Sequence, residues 1–312
     1  MSASFAHQCS RQRLRPAPAP QDGDQRRPLP SPQRSEPPVT ATTTPQSALL
    51  PGLADAAQEV GALLLRTPRP PIAADPDALR RAFEAVEEPA VELLRRRLDD
   101  LLPGTPWADE MDTELPERGA IWVVDAVDGA VQLLQDLPQF CVSLTLVRDR
   151  EPVATALHAP VLGETYMAAR GAGATRNGTA IRPSAKAELA ACVVASSHPP
   201  LLCASQPGLA TAIGAALAAV LSEVLAVRNL GPTAWQVADT AAGRLDAFWQ
   251  LGRDDANLLG GALLAREAGA LVTDALGAPW RAGANGILVA PPALHARLLE
   301  LLRDRSAMRQ VS

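Results

Sequence analysis

The chain has 312 residues, of which 47% are hydrophobic and 20% charged, so it can bury two modest cores or one large layered core. Its net charge of −5 argues against nucleic acid or an acidic membrane recognised through bulk electrostatics. The four cysteines show no Cys-x-x-Cys spacing, and no apolar run approaches the roughly 20 residues of a membrane span. We therefore expect a cytoplasmic protein.

The amino-terminal part of the chain predicts a tail followed by two helices. Residues 1–45 are rich in Pro, Arg, Gln, Ser and Thr and lack hydrophobic periodicity, which predicts disorder. Apolar residues then recur at helical spacing over residues 48–65, interrupted by Pro51. A second helical pattern covers residues 76–102, and we expect Pro89 to break it.

The rest of the chain divides into a strand-rich half and a half in which strands and helices alternate. Strands are predicted near residues 121–124, 141–147, 153–158 and 165–169, with a hairpin turn at Asn177-Gly178. Further strands are predicted near residues 193–196, 224–227, 248, 271–273 and 287–289, and helices near 208–221, 233–242, 260–268 and 293–302. This pattern predicts an α/β protein with an α+β half at residues 46–186 and an α/β half at 187–312.

Two aspartates mark the end of the first predicted strand. Asp125 and Asp128 lie in Trp122-Val-Val-Asp-Ala-Val-Asp-Gly129, where buried valines run out into a turn. Gly129 allows the backbone to approach a ligand closely, and paired carboxylates suit a hard cation. A turn-capping aspartate beside a solvated one would give the same Asp-x-x-Asp pattern.

The surrounding segments resemble those of the inositol monophosphatase family, the magnesium-dependent, lithium-sensitive phosphatases. The resemblance rests on the residues around Asp125 and on a second block, Leu245 to Gly252 followed by Asn257 to Ala270, and runs from about Gln46 to Arg303. It implies a layered α-β-α-β-α sandwich, Mg²⁺ as cofactor, a small phosphorylated metabolite as substrate, attack by a metal-bound water, and a possible homodimer.

The resemblance also assigns roles to residues of this chain. Asp125 would bridge two metals, the carbonyl of Val127 and the carboxylate of Asp128 would be further ligands, and the N–H groups of Gly129 and Ala130 would receive the phosphate. Ala130, however, stands where the family has a hydroxyl that orients the attacking water, so this catalytic position is altered.

Other positions depart from the family pattern. The first-metal glutamate is replaced by Asp109 unless Glu110 serves instead, and the second-metal aspartate aligns with Asn257 unless Asp255 replaces it. Asp254 and Asp255 could equally be charges that complement a helix dipole. Gln250 stands where inositol-processing members carry a glutamate for a substrate hydroxyl, and Arg228 where a basic residue lies near the sugar. Residues 67–75 replace the family's mobile catalytic loop.

Two hypotheses follow from these matches and departures. The first is a metal-dependent phosphate monoester hydrolase, with a sugar, inositol-like, nucleotide or pathway phosphate as substrate and neither nucleic acid nor membrane as partner. The second is a catalytically impaired relative with a binding or assembly role. Retention of Asp125 and Asp128 favours the first, whereas Ala130, Asn257 and the replaced loop favour the second.

Overall fold

The computed structural model describes residues 46–108, 114–199 and 208–303. The predicted disordered tail at residues 1–45 lies outside these ranges, as do the candidate ligands Asp109 and Glu110.

Two long helices form the first layer. A 3-10 turn at Gln46–Leu49 leads into α1 (Leu50–Arg66), which is not interrupted by Pro51 because this residue lies in the first turn, where no internal N–H partner is needed. Helix α2 (Pro76–Leu101) is continuous, so the predicted break at Pro89 is wrong. Pro89 faces solvent, which can satisfy the freed carbonyl, while Val86, Ala90 and Leu94 bury the opposite face.

The first sheet is antiparallel throughout. In the described residues it has the order β1-β2-β3-β4-β5-β6. Its strands are β1 (Ala120–Asp128), β2 (Cys141–Arg148), β3 (Glu151–Ala159), β4 (Glu164–Ala169), β5 (Ala174–Arg176) and β6 (Thr179–Ala180). Asn177 and Gly178, both at positive φ, join β5 to β6, which confirms the predicted hairpin turn.

The second sheet is mixed and lies in the carboxyl-terminal half. Within the described ranges its order is β10-β11-β9-β7-β8, with β7 parallel to β8 and β9. Its strands are β7 (Val193–Ser197), β8 (Ala226–Arg228), β9 (Ala247–Leu251), β10 (Leu271–Thr273) and β11 (Gly286–Ala290). The other helices are α3 (Ala130–Leu134), α4 (Leu209–Leu221), α5 (Thr233–Ala241), α6 (Asp255–Ala268) and α7 (Pro292–Arg303).

Three apolar cores stack these elements into five layers. One core joins α1 and α2 to the outer face of the first sheet, and another joins α4 and α7 to the second sheet. Between the sheets, α5 and α6 share a core with both. The predicted α-β-α-β-α sandwich is therefore confirmed. The predicted boundary between the two halves at residue 186 falls between the two sheets. It stays a prediction, since α5 and α6 pack on both sheets.

The first helix is apolar because it packs, although it passes a simple test for a membrane span. Residues Gln46–Arg66 are long and apolar enough by length and composition, which corrects the expectation that no such segment exists. Leu53, Val60 and Leu64 are nevertheless fully buried in the core between the helices and the first sheet. The apolar face of α1 is therefore explained by the fold.

One buried histidine makes stability depend on pH. The His158 ring lies beneath α1, with its Nδ1 2.9 Å from Thr165 Oγ1, and burial lowers its pKa from the usual 6.5. Below pH 6.5 the unfolded chain gains a proton that the folded chain resists, so stability falls as the pH drops through that value. We expect the free energy of unfolding of His158→Gln to fall less between pH 7 and 5.5 than that of the unchanged chain, as measured by denaturant titration at each pH. An equal fall in both proteins would contradict this prediction.

Candidate active site

A β-bulge places the two aspartates on the same face of the first sheet. Asp125 pairs with Ser143 and Asp128 with Cys141, so three residue steps in β1 oppose two in β2. Residues three apart in a regular strand point to opposite faces, but the extra residue at the bulge restores a common direction. Cys141 packs in the core that holds α5 and α6, so both carboxylates face the layer between the sheets.

The two carboxylates are buried and oriented by neighbouring groups. Asp125 is 8% exposed, and its Oδ1 accepts a hydrogen bond from Val127 N at 2.9 Å. Asp128 is 6% exposed, and its Oδ2 accepts from Ala234 N at 3.2 Å and from Cys141 Sγ at 3.8 Å. Burial and then the nearby charge of Asp128 raise the pKa of Cys141 well above its usual value, so its thiol stays a neutral donor.

The turn after Asp128 requires glycine. Gly129 has φ 94°, and a Cβ added there would lie 2.8 Å from the carbonyl oxygen of Gln139. No other residue fits this turn without displacing backbone. Ala130 begins α3 directly afterwards. The assignment of phosphate to the N–H groups of Gly129 and Ala130 stays a prediction.

A chain of hydrogen bonds connects the start of α5 with the start of α6. Thr233, next to Ala234, lies with its Oγ1 2.9 Å from Ser197 Oγ and 3.5 Å from Gln250 Oε1. Gln250 Nε2 donates to Asp254 Oδ2 at 2.8 Å, and Asn257 Nδ2 donates to Asp254 Oδ1 at 2.8 Å. Each carboxylate oxygen of Asp254 thus accepts a hydrogen bond from a different side-chain amide.

Asn257 is left with an unpaired oxygen. Its Oδ1 is buried and has no hydrogen-bond partner among the described residues, although buried carbonyl oxygens are normally paired. The adjacent carboxylate fixes the amide orientation, because Asp254 accepts from Nδ2 and so leaves Oδ1 on the other side. Burial raises the pKa of Asp254 to about 6, while the two amide hydrogen bonds oppose that rise.

Two of the residues with predicted roles make other contacts in the structure. Asp255 Oδ1 accepts from Gly283 N at 2.7 Å, and its Oδ2 accepts from Arg253 Nε at 2.7 Å. The described contacts therefore favour Asp254 over Asp255 as the acid that acts on Asn257. Gln250 is fully buried and its amide donates to Asp254, while its predicted contact with a substrate hydroxyl stays a prediction.

Arg228 remains a peripheral candidate. It ends β8 at the same sheet edge as Ser197 and Gln250, since β7 runs parallel to both β8 and β9. Its Nη1 donates to the carbonyl of Val227 at 2.8 Å, and its side chain is exposed. The proposed contact with substrate stays a prediction.

The remaining predicted ligands lie outside the described residues. Trp107 pairs with Trp122 as a parallel bridge, in which Trp122 N donates to the Pro106 carbonyl and Ala108 N donates to the Trp122 carbonyl, so the chain up to residue 108 runs in the same direction as β1. Within residues 46–108, 114–199 and 208–303, no three His, Cys, Asp or Glu side chains converge as a metal cluster. The described part supplies Asp125, Asp128 and the Asn257 oxygen, all of which suit a hard cation with oxygen ligands.

The five-layer sandwich and the buried aspartates at the end of β1 indicate the family to which the chain belongs. The family model described as "Inositol monophosphatase family" matches residues 55–307. The chain therefore belongs to the inositol monophosphatase family, which confirms the resemblance found in the sequence.

Individual relatives carry two kinds of name. The chain is 34% identical to the inositol-1-monophosphatase of Mesorhizobium japonicum over 168 residues, which cover 51% of this chain and 62% of that protein. The aligned part thus spans less than two thirds of that relative's length. The chain is also 32% identical to the Nus factor SuhB of Salmonella typhimurium over 184 residues, covering 59% of this chain and 67% of the relative.

A solved structure agrees over a longer range. The extragenic suppressor protein suhB from Bartonella henselae superposes with a TM-score of 0.69 and 27% identity. The superposition covers 82% of this chain and 100% of the other.

Proposed function

We propose that the chain is a magnesium-dependent phosphomonoesterase acting on a small phosphorylated metabolite. The observation that carries this proposal is the bulge in β1, which turns Asp125 and Asp128 to one face and buries both. Two buried carboxylates on one face of the sheet provide the oxygen ligands and the negative charge that Mg²⁺ requires. Membership of a family with inositol monophosphatases supports the same reaction class.

When bound, Mg²⁺ would stabilise charge on the phosphoryl oxygens and lower the pKa of the attacking water. Asp125 and Asp128 would hold it, with Asp109 or Glu110, the Val127 carbonyl and Asn257 completing the ligands. The N–H of Ala234 keeps the Asp128 carboxylate oriented.

The replaced groups predict slow turnover. Ala130 has no hydroxyl with which to orient a water, and positioning supplies a large part of enzymatic acceleration. We expect Ala130→Thr to raise turnover by about 10-fold or more without changing Mg²⁺ affinity, because the added hydroxyl acts on water and not on the metal. Steady-state kinetics with calorimetry tests this, and a lower or equal rate would contradict the role assigned to residue 130.

The proposal is tested with a panel of sugar, inositol, nucleotide and amino-alcohol phosphates, with phosphate release measured in Mg²⁺ and in chelator. Mg²⁺-dependent release from at least one phosphate supports the proposal. Asp55→Asn, which alters an exposed aspartate on α1, should leave the rate unchanged. Absence of any Mg²⁺-dependent release across the panel would overturn the proposal.

A second candidate is a binding or assembly role without turnover. Ala130 and Asn257 favour it, and one relative is named as a Nus factor. In that case the folded protein would bind a macromolecular partner through its surface, and replacing Asp125 would not weaken this binding. Partner capture that survives Asp125→Asn, together with a silent phosphatase panel, is the outcome that favours it.

A further inference from the structure

We infer that Asp254 supplies the negative charge that Asn257 lacks, acting through the Asn257 amide on a cation held by Asn257 Oδ1. The inference rests on the proposed metal dependence and concerns a departure specific to this chain. Asp254 is a positioning residue, because both its oxygens accept hydrogen bonds from amides.

The contacts around Asn257 support this role. Its Nδ2 donates to Asp254 Oδ1 at 2.8 Å, while its Oδ1 is buried and unpaired in the described structure. A carboxylate that accepts from Nδ2 polarises the amide and increases the negative charge on Oδ1. It also prevents the amide from turning over, which would present N–H donors to a cation.

Gln250 holds the carboxylate in place from the other side. Its Nε2 donates to Asp254 Oδ2 at 2.8 Å, and the residue is fully buried within β9. The rigid sheet therefore fixes Asp254, and Asp254 fixes Asn257. Replacing such partners of metal ligands typically lowers metal affinity by roughly 10- to 100-fold.

A nearby acid provides a matched comparison. Asp255 adjoins Asp254 in sequence and is also buried, but its oxygens bind Gly283 N and Arg253 Nε. Removing its charge would leave both amide donors to Asp254 in place, so Asp255→Asn tests whether loss of a neighbouring buried charge alone weakens binding.

The experiment is Mg²⁺ titration by calorimetry of the full chain and of three variants. We expect Asp254→Asn to weaken Mg²⁺ binding by roughly 10- to 100-fold. The matched Asp255→Asn variant should bind within roughly threefold of the unchanged chain, as expected for a residue outside the ligand network.

The double variant Asp254→Asn with Asn257→Asp tests the mechanism most sharply. It exchanges the carboxylate and the amide, so the carboxylate at residue 257 would contact the cation and the amide at residue 254 would donate a hydrogen bond to that carboxylate. We expect this exchange to restore binding to at least the level of the unchanged chain, because the site's charge is conserved. A purely structural role for Asp254 predicts no such rescue.

The outcomes separate this inference from the proposed function. Mg²⁺ heat in the unchanged chain with equal losses in Asp254→Asn and Asp255→Asn, or with no rescue by the exchange, would overturn the inference alone. Absence of Mg²⁺ heat in the unchanged chain would overturn the metal dependence on which both rest. Melting temperatures of every variant show whether each remains folded.

Discussion

Asp125→Asn is expected to remove Mg²⁺ binding heat and to lower Mg²⁺-dependent phosphate release by about 10³-fold or more, because a metal ion contributes several kcal/mol of charge stabilisation. The substitution keeps the side-chain volume, and an amide oxygen can still accept from Val127 N, as Asp125 Oδ1 does at 2.9 Å. The effect therefore isolates the charge. Calorimetry and kinetics on the same preparation measure it.

The stability of Asp125→Asn distinguishes a functional carboxylate from a structural one. A carboxylate placed for a cation serves function more than stability, so its neutral isostere tends to leave the fold as stable or more stable. In chelator we therefore expect the variant to melt at or above the temperature of the unchanged chain. A variant that melts lower and still releases phosphate normally would show that Asp125 serves the fold.

Gly260→Val is expected to destabilise the fold by about 3 kcal/mol or more, through overpacking between α6 and the first sheet. A Cβ at this position would lie 2.6 Å from Thr145 Oγ1 and 2.7 Å from Thr155 Oγ1. Both threonines are buried, and their Oγ1 atoms lie 3.0 Å apart. They cannot rotate away freely, because Thr155 Oγ1 donates to the carbonyl of Leu144. Denaturant titration measures the loss.

Gly214 supplies the control for this substitution. It also lies within a helix, α4, but an added Cβ would meet nothing within 4 Å. We expect Gly214→Ala to stabilise the protein by about 0.5–1 kcal/mol, since alanine loses less backbone entropy in a helix. If Gly260→Val is as stable as the unchanged chain while Gly214→Ala behaves as expected, the close approach to the sheet does not constrain residue 260.

The order of strands and helices could be predicted from hydrophobic pattern, because alternation and helical spacing are local properties of the chain. The hairpin at Asn177 and Gly178 was placed correctly for the same reason. Pro89 was misjudged, since its tolerance depends on which face of α2 meets solvent. That face is set by packing against α1 and the first sheet and cannot be derived from the local pattern alone.

The candidate site could be predicted in part. Asp125 and Asp128 stand out in the sequence because they follow buried valines and precede a glycine. The sequence offered Asp255 as the replacement for the missing carboxylate, whereas the structure joins Asp254 to Asn257, because adjacent residues at a helix start point in different directions. A signal was present in the sequence: Asp254 lies three residues before Asn257, the separation at which helix-start side chains meet.

By itself, the sequence determined the family, the alternation of elements and the acidic strand end, since each depends on residue identity at short spacing. Only the tertiary structure decided that Asp125 and Asp128 share a face, because the bulge is defined by pairing with Ser143 and Cys141 of another strand. It also decided that Asp254 supports Asn257 while Asp255 secures Gly283. Hydrogen-bond partners distant in sequence are chosen by the packed fold, which brings their donors and acceptors within reach.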